Sequence, residues 1–144
     1  MNETPPTNYA SFGQRVGAFL LDVIIQVIAG FIIVFFWSLA FAANGVSDQD
    51  GLQVMSFILR CVVGWIYYAA MESSPLQGTL GKLALGIKVS DLVGARVSFG
   101  RASGRWFSKW VSTLIIGIGW LMAAFTPKRQ ALHDMMAGTL VLKR

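Results

Sequence analysis

One long apolar stretch decides the fold of this chain: residues 16 to 43 read VGAFLLDVIIQVIAGFIIVFFWSLAFAA. It is longer than the roughly 20 residues that a helix needs to cross a bilayer. It is also longer than the roughly 7 to 15 apolar residues of a cleavable signal peptide, and it contains Asp22 and Gln26, which do not fit such a region. We therefore interpret Val16 to Ala43 as a permanent membrane-spanning helix.

The composition also indicates a membrane protein. Of the 144 residues, 55% are hydrophobic and 13% are charged, and the mean hydropathy is +0.60, values that are unusual for soluble domains. Twelve Lys and Arg residues stand against seven Asp and Glu residues. Because these charges flank apolar segments instead of forming a dense patch, we expect anionic lipid headgroups as partners, and no nucleic acid.

Two further apolar runs follow, Leu52 to Met71 and Trp106 to Phe125. The polar turn after the first run, Asn44 to Gly51, carries no Lys or Arg. The positive-inside rule therefore predicts that this turn faces outward and that the N-terminus is cytoplasmic. Residues 1–11 are predicted to be a disordered tail, and residues 12–144 a single membrane domain.

The third run is predicted to bend or to re-enter the membrane, because Gly117-Ile118-Gly119 interrupts it near its centre and paired glycines favour a break. Charge supports this interpretation. A run that turns back leaves the basic residues of the linker and the tail on one side, as the positive-inside rule requires. They are Lys82, Lys88, Arg96, Arg101, Arg105, Lys128, Arg129, Lys143 and Arg144. A full crossing would divide them and remains the alternative.

A small cytoplasmic β-hairpin is predicted before the third run. Leu85 to Ser90 and Arg96 to Phe99 alternate apolar and polar residues around a turn. Two strands alone are marginally stable, and Thr139 to Arg144 is a candidate third strand if the tail lies on the same side. The predicted fold class is an all-α polytopic membrane protein: two transmembrane helices, a third bent or re-entrant helical segment, and this hairpin, which the C-terminal strand can join.

Charged side chains are predicted to meet inside the membrane. At a rise of about 1.5 Å per residue, Asp22 would lie about 9 Å deep, Gln26 about 15 Å and Arg60 about 16 Å. A charge at such a depth is unfavourable unless it faces a partner or a polar cavity. We therefore expect Asp22 to meet Arg60, with Gln26 nearby.

A short cytoplasmic helix is predicted between Thr126, as its N-cap, and Gly138, as its C-terminal stop. Asp134 on this helix is expected to meet Arg15 at the inner surface. His133 has the chemistry of a proton relay near neutral pH, but a lone histidine beside an aspartate more often satisfies a local hydrogen bond, which is the interpretation we prefer.

Lipid phosphates are the expected contacts of Lys82, Lys88 and Arg96 in the linker. The sequence shows no nucleophile beside a base, no cluster of metal ligands and no cofactor loop. Neither an enzyme nor a metal or cofactor site is therefore expected.

Short motifs and charged positions occur in a distinctive order, and they cover nearly the whole chain: Arg15, Asp22, Gln77 to Lys82, Leu85 to Val89, Arg129 to Asp134, and Ala137 to Thr139. In this order they resemble the RDD family of small bacterial integral membrane proteins, named for one arginine and two aspartates. The resemblance implies a multi-pass protein of the bacterial cytoplasmic membrane whose role is poorly defined, with transport of ions or small solutes the usual proposal. Arg60 departs from the family pattern.

Two functions stay open. One is a transporter or exchanger whose coupling site includes Asp22 and Arg60, since a carboxylate in a membrane cavity can take up a proton or a cation. The other is an accessory or assembly protein, in which charges such as Arg15 and Asp134 hold the helix bundle together and the basic cytoplasmic face binds lipid or a partner. Three short segments do not enclose a transport path alone, so we expect a homo-oligomer or a membrane protein partner.

Overall fold

The computed structural model describes residues 8–45, 48–115 and 117–144. Its helices and strands, in chain order, are α1 (Phe12–Ala43), α2 (Gln49–Ser73), α3 (Leu80–Ala84), β1 (Ile87–Asp91), α4 (Phe99–Leu114), α5 (Ile118–Phe125), α6 (Leu132–Ala137) and β2 (Thr139–Lys143). As predicted, α1 and α2 are long and apolar enough to cross a membrane. The sheet and α3 pack at one end of this helix pair, which we call the sheet end.

Polar side chains cap the N-termini of both long helices. At the start of α1, Ser11 Oγ accepts the N–H of Gln14 at 3.2 Å and Gln14 Oε1 accepts the N–H of Ser11 at 3.0 Å, which satisfies two donors that a helix start leaves free. At the start of α2, Asp48 Oδ1 accepts the N–H of Gly51 at 3.1 Å. Beyond its cap, α1 exposes apolar side chains along much of its length, as a helix does when lipid or another protein covers it.

The third helical segment is bent, which confirms the prediction. The axes of α4 and α5 differ in direction by 103°. Gly117 provides the turn with a φ of 73°, a conformation that glycine adopts without strain. Gly119 then lies so close to α4 that a Cβ there would be 2.8 Å from the Ser112 Cβ. The two glycines therefore have separate tasks, one in the turn and one in the packing.

The two-stranded sheet pairs β1 with β2 in antiparallel register, with Val89 opposite Val141. The C-terminal strand thus joins the linker strand as predicted, but the hairpin partner at residues 96–99 was wrong. Asp91 Oδ1 accepts two backbone N–H groups in the turn that follows β1. Ser98 then caps α4 by accepting the N–H of Arg101 at 3.2 Å. Because Ser98 and Phe99 belong to the start of this helix, they do not pair as part of a strand.

The chain just before α1 is ordered. The N–H of Ala10 donates to the carbonyl oxygen of Val141 at 2.9 Å, which uses the open edge of β2. Residues 8–11 therefore differ from the predicted disordered tail, whereas residues 1–7 lie outside the described part of the chain.

The short helix α6 begins later than predicted. Its N-cap is Ala131 and not Thr126, because the Thr126 hydroxyl exchanges hydrogen bonds of 2.8 and 2.9 Å with the backbone of Gln130 in the preceding loop. Gly138 ends the helix as predicted, with a φ of 61°. The chain then enters β2 directly, which holds α6 against the sheet end.

Candidate functional site

A buried group of charged side chains occupies the sheet end, where α1, α2, α3, α4 and α6 meet. We call it the charge cluster: Arg15, Glu72, Lys82, Arg105, Lys109, His133 and Asp134. The sequence predicted one pair in it, Arg15 with Asp134, and the structure brings these two together.

Asp134 is fully buried in the first turn of α6. Its Oδ2 accepts Nη1 of Arg15 at 2.5 Å, and its Oδ1 accepts Nε and Nη2 of Arg105 at 2.8 and 2.7 Å. Burial disfavours the charged carboxylate, but the positive charges of Arg105 and Arg15 outweigh burial and hold the pKa of Asp134 well below its usual range. This carboxylate therefore stays ionised and holds α1, α4 and α6 together.

Glu72 is the second acidic centre, near the C-terminus of α2, and it is 1% exposed. Its Oε1 accepts Nη1 of Arg105 at 2.6 Å and also Nζ of Lys82, while Nζ of Lys109 lies 3.9 Å away. Arg105 thus bridges Glu72 and Asp134, so that α2, α4 and α6 share one guanidinium.

Sequence reasoning missed Glu72, Arg105 and Lys109 as site residues. The available signal was their position: Glu72 directly follows an apolar run, and the basic residues of α4 repeat every four positions from Arg101 through Arg105 to Lys109, which places them on one helix face. A basic stripe facing a lone acidic residue at a membrane boundary indicates ion pairing.

Lys82 corrects an expectation. Its side chain is 10% exposed and pairs with Glu72, so contact with lipid headgroups was wrong for this residue. Burial lowers the pKa of Lys82, and Glu72 offsets only part of that effect. Lys88 is half-buried and Arg96 is exposed, and neither forms an ion pair with another described residue.

Asp22 does not pair with Arg60, which corrects a second expectation. Both of its oxygens are occupied by neutral donors: Tyr67 Oη at 2.9 Å, the N–H of Gly81 at 2.9 Å and Thr79 Oγ1 at 2.5 Å. The start of α3 reaches Asp22 because Gly81 has no side chain; a Cβ there would collide with the carbonyl oxygen of Ala18. Asp22 therefore fastens α1 to α2 and α3 instead of facing a cation.

Arg60 faces a separate space between α1, α2 and α4, which we call the helix cavity. Its volume is about 640 Å³, and its wall is mostly apolar with Gln26, Arg60 and Tyr68 as polar exceptions. Within the described residues, the one hydrogen bond of the Arg60 side chain runs from Nε to the backbone oxygen of Ser56 at 3.3 Å, and no carboxylate pairs with it. Gly30 makes room, since a Cβ there would lie 3.2 Å from Arg60 Cδ.

His133 packs against Trp120, with ring centroids 4.7 Å apart, and its Nδ1 lies 3.4 Å from Ser112 Oγ. Its Nε2 lies 3.5 Å from Asp134 Oδ1. Burial is the main reason that the pKa of His133 falls to about 3, although Asp134 opposes the shift. The ring is therefore neutral at physiological pH and is a local packing and hydrogen-bonding group. Across the described residues, no three or more His, Cys, Asp or Glu side chains are arranged to hold a metal ion.

Comparison with known proteins gives a consistent result. The RDD family model matches residues 9–138. The chain is 33% identical over 146 aligned positions to the uncharacterized protein YxaI of Bacillus subtilis, covering 92% of this chain and 96% of the relative. It is 29% identical to the uncharacterized membrane protein YteJ of the same organism, covering 93% and 80%. No solved structure matches. The chain therefore belongs to the RDD family of membrane proteins.

Proposed function

We propose that this protein binds and transports or exchanges small organic anions, without catalysing a covalent reaction, and that Arg60 binds the anionic group inside the helix cavity. One observation carries the proposal: near the middle of the apolar helix α2, Arg60 has no ion pair among the described residues. A charged residue at the bilayer centre costs at least about 2.5 kcal/mol. A ligand anion at this position would offset that cost.

The shape and chemistry of the helix cavity suit such a ligand. A volume of about 640 Å³ lies within the range of roughly 300–1,000 Å³ that is usual for small-molecule sites. Apolar side chains of α1 and α2, together with Trp106 and Trp110, form most of its wall, which favours an apolar body. Gln26 adds an amide that can accept or donate a hydrogen bond. Asp22 does not belong to this proposed site, because its oxygens are already occupied.

We further propose that the sheet end faces the cytoplasm of a bacterial inner membrane. The segment before α1 and the strands β1 and β2 are hydrogen-bonded to one another, which supports a bent α4–α5 segment that enters and leaves on the same side. The connection from α1 into the first turn of α2 carries Asp48 and Asp50 but no Lys or Arg. This asymmetry is the one that the positive-inside rule associates with a cytoplasmic sheet end, where Lys88 and Arg96 would contact anionic headgroups.

A transport path also needs more protein than one chain supplies. The C-terminal half of α1 is exposed, with Phe31 76% and Phe35 64% accessible, and the described residues do not fully enclose the helix cavity. We propose that a second copy or another membrane protein covers this face.

Flux of a permanently ionised probe tests the proposal. Purified protein is reconstituted in phosphatidylcholine vesicles, and uptake of 2-naphthalenesulfonate is followed by fluorescence. The wild-type protein should exceed protein-free vesicles several-fold, and Arg60→Gln should remove the excess while keeping the thermal midpoint. Lys128→Gln is the matched control, because Lys128 is an exposed basic residue outside the helix cavity. Flux by folded Arg60→Gln equal to that of wild type would overturn the proposal.

A second candidate function, an accessory or assembly protein, is favoured by a different observation. Asp22 and Asp134 are saturated by donors from several elements, as expected of groups that lock a bundle. In that case Arg60→Gln changes no flux, whereas Arg15→Ala and Asp134→Ala lower the thermal midpoint in detergent.

A further inference from the structure

We propose that the charge cluster binds one small monovalent anion, of the size of chloride, in a cavity beside Arg15 that is separate from the helix cavity. The cavity measures about 40 Å³. A water molecule needs roughly 10–15 Å³ of such space, so there is room for a monatomic anion or a few waters and not for a phosphate ester. Phe19 and Trp120 are apolar members of its lining.

The first argument is an incomplete set of hydrogen bonds. Arg15 uses Nη1 to bind Asp134, but its Nε and Nη2 are buried and have no partner in the described structure. Buried donors are rarely left unpaired. An anion or a water in the adjoining cavity would supply the missing acceptor.

The second argument is the balance of charge, which separates an anion from a water. Four cationic side chains line the cavity: Arg15, Lys82, Arg105 and Lys109. Three carboxylates lie at or beside it: Asp22, Glu72 and Asp134. With all four cations protonated and His133 neutral, the formal balance is one positive charge. A water would satisfy the donors and leave this charge, whereas a chloride ion would satisfy both.

The third argument is that the carboxylate that binds Arg15, Asp134, and the one that lines the cavity, Asp22, have no oxygen left without a donor. Asp134 accepts bonds on both oxygens, and so does Asp22. Glu72 binds Lys82 and Arg105 through Oε1 and is not among the residues that line this cavity. Lys109 is the least committed cation, since its Nζ is 3.9 Å from Glu72 and 3.8 Å from the centre of the Tyr68 ring.

The test uses the full chain in detergent at constant ionic strength, with chloride replacing gluconate, an anion too large for this cavity. The thermal midpoint should rise with chloride and saturate. Lys109→Met should abolish that rise because it removes the excess charge, and the exposed Lys128→Gln should keep it. An equal midpoint in chloride and gluconate would mean a water-filled cavity and would overturn the proposal, as would an undiminished chloride effect in Lys109→Met.

A second measurement does not depend on how Lys109→Met folds. Bromide should quench part of the tryptophan fluorescence with a saturating dependence, because Trp120 borders the site. Trp120→Phe should remove the saturating part and leave ordinary collisional quenching of the other tryptophans. Quenching by wild type that is collisional only would refute the anion site.

Discussion

Arg15 and Asp134 are separated by 119 positions in the chain, yet the guanidinium of the first donates to the carboxylate of the second at 2.5 Å. The contact joins the start of the first long helix to the last helix. Arg105 binds the other oxygen of Asp134 and also Glu72. The Arg15–Asp134 pair is therefore part of a network of buried ion pairs in which charged side chains share partners.

Removing the charge of Asp134 should therefore be costly. In Asp134→Asn, Arg15 and Arg105 keep their charges in a buried place without the compensating carboxylate, and breaking a buried pair in this way costs about 3–5 kcal/mol. We expect a large fall in the thermal midpoint in detergent. Asp50→Asn is the control, because Asp50 is exposed near the start of α2. Equal midpoints for the two variants would contradict the network.

Replacing Asp22 by asparagine should lower the free energy of unfolding less than replacing it by alanine. In Asp22→Asn, the amide oxygen can still accept from Tyr67 and Gly81, and the Thr79 hydroxyl can rotate to accept instead of donating. We therefore expect a mild effect for Asp22→Asn. Asp22→Ala should cost more, on the order of 1–3 kcal/mol for each buried donor left unpaired. Chemical denaturation of both variants tests this order, and a folded Asp22→Asn protein that lost all sulfonate flux would instead return Asp22 to the transport site.

Partners of this kind could not be predicted from the sequence. Tyr67, Thr79 and Gly81 lie 45, 57 and 59 positions after Asp22, and they offer a phenol, a hydroxyl and a backbone N–H. Neutral donors of this kind cannot be recognised in a sequence by charge or by periodicity. Arg60 was the available basic residue at a similar depth, and pairing Asp22 with it was wrong. The apolar runs and the Gly117 break are predictable because bilayer thickness and backbone sterics act on contiguous residues.

Gly81 should be nearly irreplaceable. A methyl group there would collide with the carbonyl oxygen of Ala18 and lie 2.9 Å from Asp22 Oδ1, so Gly81→Ala must push α3 away from α1. Gly104→Ala is the matched control within α4, because nothing lies within 4 Å of its added Cβ. The control should gain up to about 1 kcal/mol from better helix propensity, whereas Gly81→Ala should lose stability; changes of the same sign would refute the close approach.

Acid should destabilise the protein in two stages. The pKa of His133 falls from 6.5 to about 3 on folding, so the unfolded chain binds a proton at a higher pH than the folded protein does. The contribution of His133 to the free energy of unfolding is therefore complete above pH 6.5 and declines as the pH falls towards 3. The pKa of Asp134 is also lowered, and its contribution is lost at still lower pH. Thermal midpoints measured from about pH 7.5 to about pH 4 should fall, and His133→Asn should flatten the decline above about pH 5. A decline that the variant leaves unchanged would assign it to other groups.

The location of the C-terminus provides the sharpest test of the proposed topology. If α4 and α5 enter and leave the membrane on one side, a fluorescent protein fused after Arg144 stays in the cytoplasm and fluoresces, whereas alkaline phosphatase fused there is inactive. The reverse control fuses the phosphatase after Gly45, in the turn between α1 and α2, where it should be exported and active. Because β2 pairs with β1, both strands lie on one side of the membrane. If the Gly45 fusion is exported, phosphatase activity after Arg144 as well would require this sheet to break and would reject both the re-entrant segment and the hydrogen-bonded sheet end; activity after Arg144 alone would instead reverse the proposed orientation.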